Sequence, residues 1–373
     1  MHQMEIDRRT LVGGLLTACA LPASESAARR YADNIIASGI QAPDGSYAAV
    51  IYDVHHGLLH RVTLPGRGHD LAFHAPTGTI VAFARRPGNF AIAFNKDARI
   101  RPTLFTTPPG RHFYGHGVFS ADGRVLFTTE NAFEDGAGVI GVWDVGGRFK
   151  RIGEFASHGT GPHDINLLSD GRTLVVANGG IATHPASGRK PLNLATMAPS
   201  LTYIDASTWH LIEQHRLPKA LHKLSIRHLE VARGDIVVFG CQFKGPKTKI
   251  VDLIGFHSRG SNVTLMPSGT NVSRALRHYV SSIAVDRTGE IAAFTSSRGQ
   301  ASVFVDVRQR QVIGIRRLPD VSGVAPSRDA GAFTLTSGNG EVLRANAVAN
   351  SADRLTTLSW HWDNHAIALF QSD

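Results

Sequence analysis

Short apolar runs alternate with polar, glycine-rich turns along most of the chain, and long helical periodicity is absent. Runs such as IVAFA, VLFTT, TLVVAN and IAAFTSS are rich in the β-branched and aromatic residues that favour strands. Asp-Gly and Thr-Gly pairs precede several of these runs, and such pairs are typical of hairpin turns. The pattern predicts an all-β protein built from hairpins.

The same order of signals recurs seven times. Each unit has an opening strand, a tight turn, a second strand, a third run that ends in an apolar-Asp pair such as GVWDV, and a more polar fourth run. Successive openings are 47, 47, 65, 54, 41 and 42 residues apart. Most of these steps are close to the roughly 40–50 residues of a four-stranded propeller blade. The 65-residue step contains an insertion, residues 181–200.

The two ends of the chain complete one unit. The C-terminal segment WDNHAIALF supplies an opening strand, and the chain from Asn34 supplies three strands that lack one. Pairing them closes the ring and removes free sheet edges. We therefore predict a seven-bladed β-propeller over residues 31–373, closed by the C-terminal strand pairing with the N-terminal blade.

Histidine occupies the opening position in five of the seven units. These residues are His69, His116, His163, His228 and His365. Ser282 and Gly323 occupy the other two openings. The innermost strand of each blade borders the central channel, so equivalent side chains should approach one another around the axis. Imidazole suits Fe, Cu, Zn and Ni, and the sequence alone does not choose among them, so we predict a transition-metal site at this ring.

Six further residues are candidates for the rim of the site or for orienting its ligands. They are Asp70, Glu130, Asp164, Glu230, Cys241 and Ser282. Asp70 and Asp164 directly follow a histidine, so regular strand alternation places them on the opposite side of the strand. We expect such acids to orient the strand or a ligand rather than to bind the metal. Cys241 is a candidate soft ligand, but a small buried hydrophobe is the better interpretation of a lone cysteine.

Three functions remain open at this point. The first is a metal-binding or metal-handling protein. The second is an enzyme, in which a metal with open positions activates water or changes redox state while Arg86, Glu130 or Cys241 contacts substrate. The third is a scaffold that docks partner proteins, with histidines that form a structural network between blades.

Residues 1–30 are predicted to be an export signal rather than part of the fold. Arg8 and Arg9 precede a short, weakly apolar run, which resembles a twin-arginine signal. An LTAC box ending at Cys19 also matches a lipoprotein cleavage site, and lipidation there would anchor the protein to a membrane. Cleavage after Ala20 or Ala23 would instead leave a soluble periplasmic protein, which we favour.

The formal charge of +9 is unevenly distributed, because residues 216–249 contain eight Lys or Arg against Glu230 and Asp235. Such a patch favours anionic partners. Export argues against nucleic acid and leaves an acidic protein, an anionic metal chelate or a membrane surface, although a solvated charged face explains the patch equally well. Once Cys19 is removed or lipidated, Cys241 has no disulfide partner within the chain. We expect a monomer.

The RR leader, RGHD, YGHGVFSADGR, GPHDINLLSDGR and the WDNHAIAL end together resemble an uncharacterised family of twin-arginine-exported bacterial proteins. The family is a domain of unknown function that covers nearly the whole mature chain, and its members look like seven-bladed propellers. Their genes tend to neighbour those of imelysin-like and dihaem-oxidoreductase-like proteins linked to iron acquisition. The resemblance implies a periplasmic role with iron or copper, and periplasmic iron-uptake or redox proteins as partners. It supplies no catalytic residue.

Overall fold

The computed structural model describes residues 35–370, and it shows the seven-bladed propeller that the repeat predicts. Each blade is a four-stranded antiparallel sheet. The predicted export signal, including Cys19, lies outside the described residues.

The first blade contains β1 (Ile35–Gln41), β2 (Tyr47–Asp53), β3 (Gly57–Leu64) and, on the channel side of β1, the C-terminal strand β28 (His361–Ala368). The second blade contains β4 (Gly68–His74), β5 (Thr79–Ala84), β6 (Phe90–Asn95) and β7 (Thr103–Thr106). The third contains β8 (Arg111–Phe119), β9 (Val125–Ala132), β10 (Ala137–Asp144) and β11 (Lys150–Ala156). The fourth contains β12 (Pro162–Leu167), β13 (Thr173–Asn178), β14 (Ser200–Asp205) and β15 (Leu211–Arg216).

The fifth blade contains β16 (Leu224–Ala232), β17 (Ile236–Phe243), β18 (Ile254–His257) and β19 (Thr264–Leu265). The sixth contains β20 (Ser282–Val285), β21 (Ile291–Ser296), β22 (Ala301–Asp306) and β23 (Gln311–Arg317). The seventh contains β24 (Val321–Pro326), β25 (Ala332–Ser337), β26 (Glu341–Asn346) and β27 (Ser351–Thr357). Helix α1 (Gly269–Leu276) precedes the sixth blade, and short 3-10 turns cover Pro185–Ser187 and Lys219–Leu221.

Ring closure follows the predicted pairing. β28 pairs antiparallel with β1, with Ile36 opposite Ala368 and Gln41 opposite His361. The inner strands β4, β8, β12, β16, β20, β24 and β28 each contact the next around the ring. The predicted insertion is an irregular segment between β13 and β14. The C-terminal strand therefore completes the first blade, and the seven inner strands surround the channel.

Apolar side chains between neighbouring blades form the core. Tyr203 of the fourth blade, Phe239 and Phe256 of the fifth and Phe294 of the sixth belong to one buried cluster. The middle strands are buried on both sides, because each blade packs face to face with two neighbours. Burying this surface drives folding at about 25 cal/mol per Å² of apolar area. It also fixes the positions of the inner strands, which carry the candidate site.

Candidate metal centre

The structure brings the five histidines together in the channel. Each lies on an inner strand, and each is at most 7 % exposed. The four rings other than His116 form a circuit, with centroid distances of 4.8 Å (His69–His365), 4.7 Å (His365–His228), 4.6 Å (His228–His163) and 5.8 Å (His163–His69). His116 lies 4.8–5.4 Å from every one of the four. Convergence of equivalent blade positions therefore places five imidazoles around one point.

Irregular β-strand pairing beside the histidines changes the direction in which these side chains point. In each of the five histidine-bearing blades, the register between the inner strand and its neighbour shifts beside the histidine. Extra residues in one strand of an antiparallel pair bend that strand and redirect its side chains. The sequence pattern predicts that each histidine begins its strand. This is wrong for three of them, because β8, β16 and β28 start several residues before their histidines.

Gly115 illustrates how closely the backbone approaches the cluster. Its φ is +107°, which side-chain-bearing residues rarely adopt. A Cβ at this position would lie 2.4 Å from Cδ2 of His69. The glycine before His116 is therefore required for the third blade to pack against the ring of His69.

Two carboxylates bind the central imidazole. Nδ1 of His116 lies 2.8 Å from Oδ2 of Asp70 and 3.3 Å from Oδ1 of Asp164. The other oxygen of Asp164 accepts a hydrogen bond from the backbone N–H of Leu229 at 3.0 Å. Through His116 of the third blade, Asp70 and Asp164 thus connect the second and fourth blades. The contact with Leu229 adds the fifth blade.

These contacts correct the expectation that Asp70 and Asp164 face away from the histidines. Regular alternation would place adjacent residues on opposite sides, but the register shifts at residues 68–71 and 162–164 break that alternation. Both acids line the channel together with Glu230, whose carboxylate accepts a hydrogen bond from Asn166.

Unsatisfied ring nitrogens are the most informative feature of the cluster. A buried polar atom without a hydrogen bond costs about 1–3 kcal/mol, so most are paired in native proteins. Each of the five histidines nevertheless has at least one buried ring nitrogen without a hydrogen-bond partner among the residues that the structure describes. These atoms are Nδ1 of His69, Nε2 of His116, Nδ1 of His163, both nitrogens of His228 and Nε2 of His365.

Burial keeps four of these imidazoles neutral. It lowers the pKa of His69, His163 and His228 well below the usual value, and it lowers the pKa of His365 to about 4. Burial acts in the same direction on His116, but the charges of Asp164 and Asp70 outweigh it and raise its pKa to about 10. The cluster therefore contains four free bases around one imidazolium paired with carboxylates.

The residues have the chemistry and nearly the spacing of a transition-metal site. Donor atoms of His69, His116 and His163 all lie within 4.8 Å of one another, and so do those of His116, His228 and His365. Nitrogens bound tetrahedrally at about 2.0–2.1 Å are about 3.4 Å apart, so small inward movements would complete either set. His116 belongs to both sets, and Asp70 and Asp164 would hold its ring as carboxylates commonly hold metal-bound histidines.

Ser282 also contacts the cluster. Its hydroxyl lies 2.9 Å from Nδ1 of His365. This contact connects the sixth blade to the first, although the seventh blade lies between them in the ring. Gly323, on the inner strand of that seventh blade, supplies no ligand. A hydrogen bond at Nδ1 orients the ring and leaves Nε2 of His365 as the free donor.

Glu130 and Cys241 are not brought to the cluster. Glu130 lies on β9 and pairs with Arg151 of β11, with an Oε1–Nη1 distance of 2.8 Å. Cys241 is fully buried within the apolar cluster of the fourth to sixth blades, and burial raises the pKa of its thiol. The interpretation of Cys241 as a small buried hydrophobe is confirmed.

The two sides of the histidine cluster carry opposite charge. On one side, a cavity of about 300 Å³ is lined by Asp70, Asp164 and Glu230. Burial and the neighbouring charges of Asp164 and Asp70 raise the pKa of Glu230 to about 8. We call this cavity the acidic end of the channel.

On the other side, a cavity of about 490 Å³ is lined by residues just before some of the histidines, such as Arg67 and Arg227, and by residues from other strand ends and loops. Its cationic residues are Arg67, Arg85, Arg86, Arg189, Arg227, Lys244 and Arg298. We call this cavity the basic end. Arg86 is among the predicted substrate contacts, and Arg227 and Lys244 lie in the basic segment 216–249, but the convergence of all seven cations is seen only in the structure. The fragments RGHD and RHLE did carry the signal, since Arg67 and Arg227 stand two and one residues before a histidine.

Residues 62–369 match the family described as "Protein of unknown function (DUF1513)". The chain belongs to this family. The DUF1513 match includes all five histidines and both acids that contact His116. No curated protein matches the chain. Among the described residues of this DUF1513 protein, no helix is long and apolar enough to cross a membrane.

Proposed function

We propose that this DUF1513 protein binds an iron or copper ion at the five-histidine cluster and takes part in metal acquisition or handling in the periplasm. The observation that carries the proposal is the set of buried, unpartnered ring nitrogens on five imidazoles that cluster in the channel. A purely structural network between blades would use its ring nitrogens in hydrogen bonds, whereas a metal ion would satisfy several of them at once.

Charge balance supports a cation at this point. Asp70 and Asp164 contribute two negative charges beside His116, and the protonated His116 offsets only one of them. A divalent ion at Nε2 of His116 would displace the ring proton and balance both carboxylates. Metal binding would accordingly release a proton.

The donor set is compatible with iron or copper. Imidazole nitrogens suit both, as they suit zinc and nickel, and the cluster has no thiolate because Cys241 lies elsewhere. The resemblance to proteins encoded beside iron-acquisition genes favours iron first. The export signal predicted at residues 1–30 would place the protein in the periplasm, where iron-uptake or redox proteins would be its partners.

The decisive experiment measures metal content. Wild-type protein purified from the periplasm should contain iron or copper by elemental analysis, and metal-free protein should take up Fe²⁺ or Cu⁺ in a titration. The double variant His116→Ala with His163→Ala should lose most of this metal. A matched variant, His210→Ala with His222→Ala, changes two histidines outside the cluster and should retain it.

Two results would overturn the proposal. One is wild-type protein that contains neither metal and takes up neither in the titration. The other is a His116→Ala, His163→Ala variant that remains folded and keeps the metal content of the wild type. Circular dichroism of each variant separates loss of ligands from loss of fold.

A further inference from the structure

The basic end of the channel is far more charged than a protein interior normally is. Seven cationic side chains line the cavity, and Asp320 is the single carboxylate in its described lining. Arg67 is already paired with Asp363, at 2.9 Å between Nε and Oδ2. The remaining six cations have no carboxylate within 4 Å among residues 35–370.

Arg227 carries the argument furthest. Its side chain is only 6 % exposed, and its buried Nε has no hydrogen-bond partner among the described residues. It occupies the extra position between the pairs Ile226–Cys241 and His228–Gly240. A buried guanidinium without a partner is costly, so such groups are usually paired with an anion.

A second cation with an unpartnered nitrogen lines the same cavity. Arg85 is half-buried, and its Nε also lacks a partner among the described residues. The half-buried Lys244 is so close to the others that burial and the charges of Arg227 and Arg298 lower its pKa to about 8. Like charges held together in this way destabilise the protein unless something neutralises them.

The insertion between β13 and β14 contributes to the same cavity. Arg189, from the insertion predicted at residues 181–200, lines the cavity together with residues of the inner strands. Lys244 and Arg298 also line a neighbouring groove on the surface, so the cavity has a cationic approach from outside. The geometry is that of a built pocket rather than of a scattered charged face.

We propose that the basic end binds a small multivalent oxyanion, such as a polycarboxylate or a phosphate. Guanidinium groups bind both chemistries through paired N–H···O bonds. A monovalent ion would leave most of the six cations that lack a carboxylate partner uncompensated, so the ligand must carry several charges. A volume of about 490 Å³ is in the range of small-molecule sites. This inference does not rest on metal binding, because none of its residues is one of the five histidines.

Titration calorimetry on metal-free protein tests the proposal. The probes are tricarballylate, which carries three carboxylates but chelates metals weakly, and inorganic phosphate. Sodium chloride at matched ionic strength is the control. Saturable binding of either probe at low millimolar concentration or below supports the site. The tighter of the two probes identifies whether the natural ligand carries carboxylates or phosphates.

Variants locate the binding. Arg227→Met and, separately, Arg86→Met should each weaken binding at least tenfold, and Arg227→Lys should restore part of it. Arg101→Met with Arg308→Met removes two exposed charges from outer loops and should bind as the wild type does. The proposal fails if chloride reproduces the heat of both probes, or if both single variants bind as tightly as the wild type. The variant lacking His116 and His163 should still bind the anion, so the two proposals can fail separately.

Discussion

The two ends of the channel both adjoin the ring of seven inner strands, yet carboxylates line one end and cationic side chains line the other. At the acidic end, Asp70 and Asp164 are satisfied by His116 and by the backbone of Leu229. At the basic end, Arg67 is paired with Asp363, but Arg227 and the other five cations have no carboxylate partner among the described residues. The carboxylates of the acidic end therefore have hydrogen-bond partners and orient an imidazole, whereas most cations of the basic end lack an anionic partner among the described residues. The histidines lie between the two.

The largest effect is expected from filling the space beside the cluster. Gly115→Ala would force a Cβ into the ring of His69 at a φ of +107°, and we expect a loss of about 2–4 kcal/mol in the free energy of unfolding. Gly110→Ala is the matched control, because Gly110 has a φ of +76° and nothing within 4 Å of an added Cβ. It should cost about 1 kcal/mol. Denaturant unfolding measures both, and equal losses would show that His69 is not fixed by this contact.

Removing a carboxylate from the acidic end should weaken metal binding and leave anion binding at the basic end unchanged. Asp70→Asn would weaken the contact that orients His116, and we expect metal affinity to fall about 10–100-fold. Affinity for the anion should not change. Asp97→Asn, in an exposed outer loop, is the control. A metal titration of Asp70→Asn that coincides with the wild-type curve would mean that this carboxylate does not support a ligand.

Replacing the buried cation should stabilise the protein. Without a bound anion, Arg227→Met exchanges an unpaired buried charge for an apolar side chain of similar length, and the free energy of unfolding should rise by about 1–3 kcal/mol. The measurement is denaturant unfolding in a buffer free of multivalent anions. Destabilisation by this change would show that Arg227 has a structural partner and that the basic end is complete as it stands.

The smallest effect concerns pH. The folded-state pKa of Lys244 is about 8, below its usual value of 10.5. Between these two pH values the unfolded chain binds more protons than the folded protein. The free energy of unfolding therefore rises with pH across that window. Relative to Lys244→Met, the wild type should gain about 1 kcal/mol between pH 7 and 10 after allowance for solvent screening. Affinity for the anion should fall over the same range. A pH-independent difference between the two proteins would place Lys244 outside the group of interacting cations.

The sequence alone determined the architecture and the identity of the clustered histidines. Seven hairpin units with a regular spacing predict a closed propeller, because each unit can bury its faces only against two neighbours. Histidines at equivalent openings must then share the channel. Its opening position makes Ser282 a candidate for the rim, but its contact with His365 is known only from the structure. The metal itself, the export and the partners stay predictions.

The tertiary structure alone decided which acids and cations belong to each end. Asp70 and Asp164 turn toward His116 because register shifts break the alternation on which a sequence argument relies. The cations of the basic end come from several blades and from the insertion, so no short window of sequence contains them. A sequence repeat reveals the residues that recur at the same position of each blade, such as the histidines. Residues that differ between blades, such as the cations, can be recognised as one site only when the folded ring brings them together.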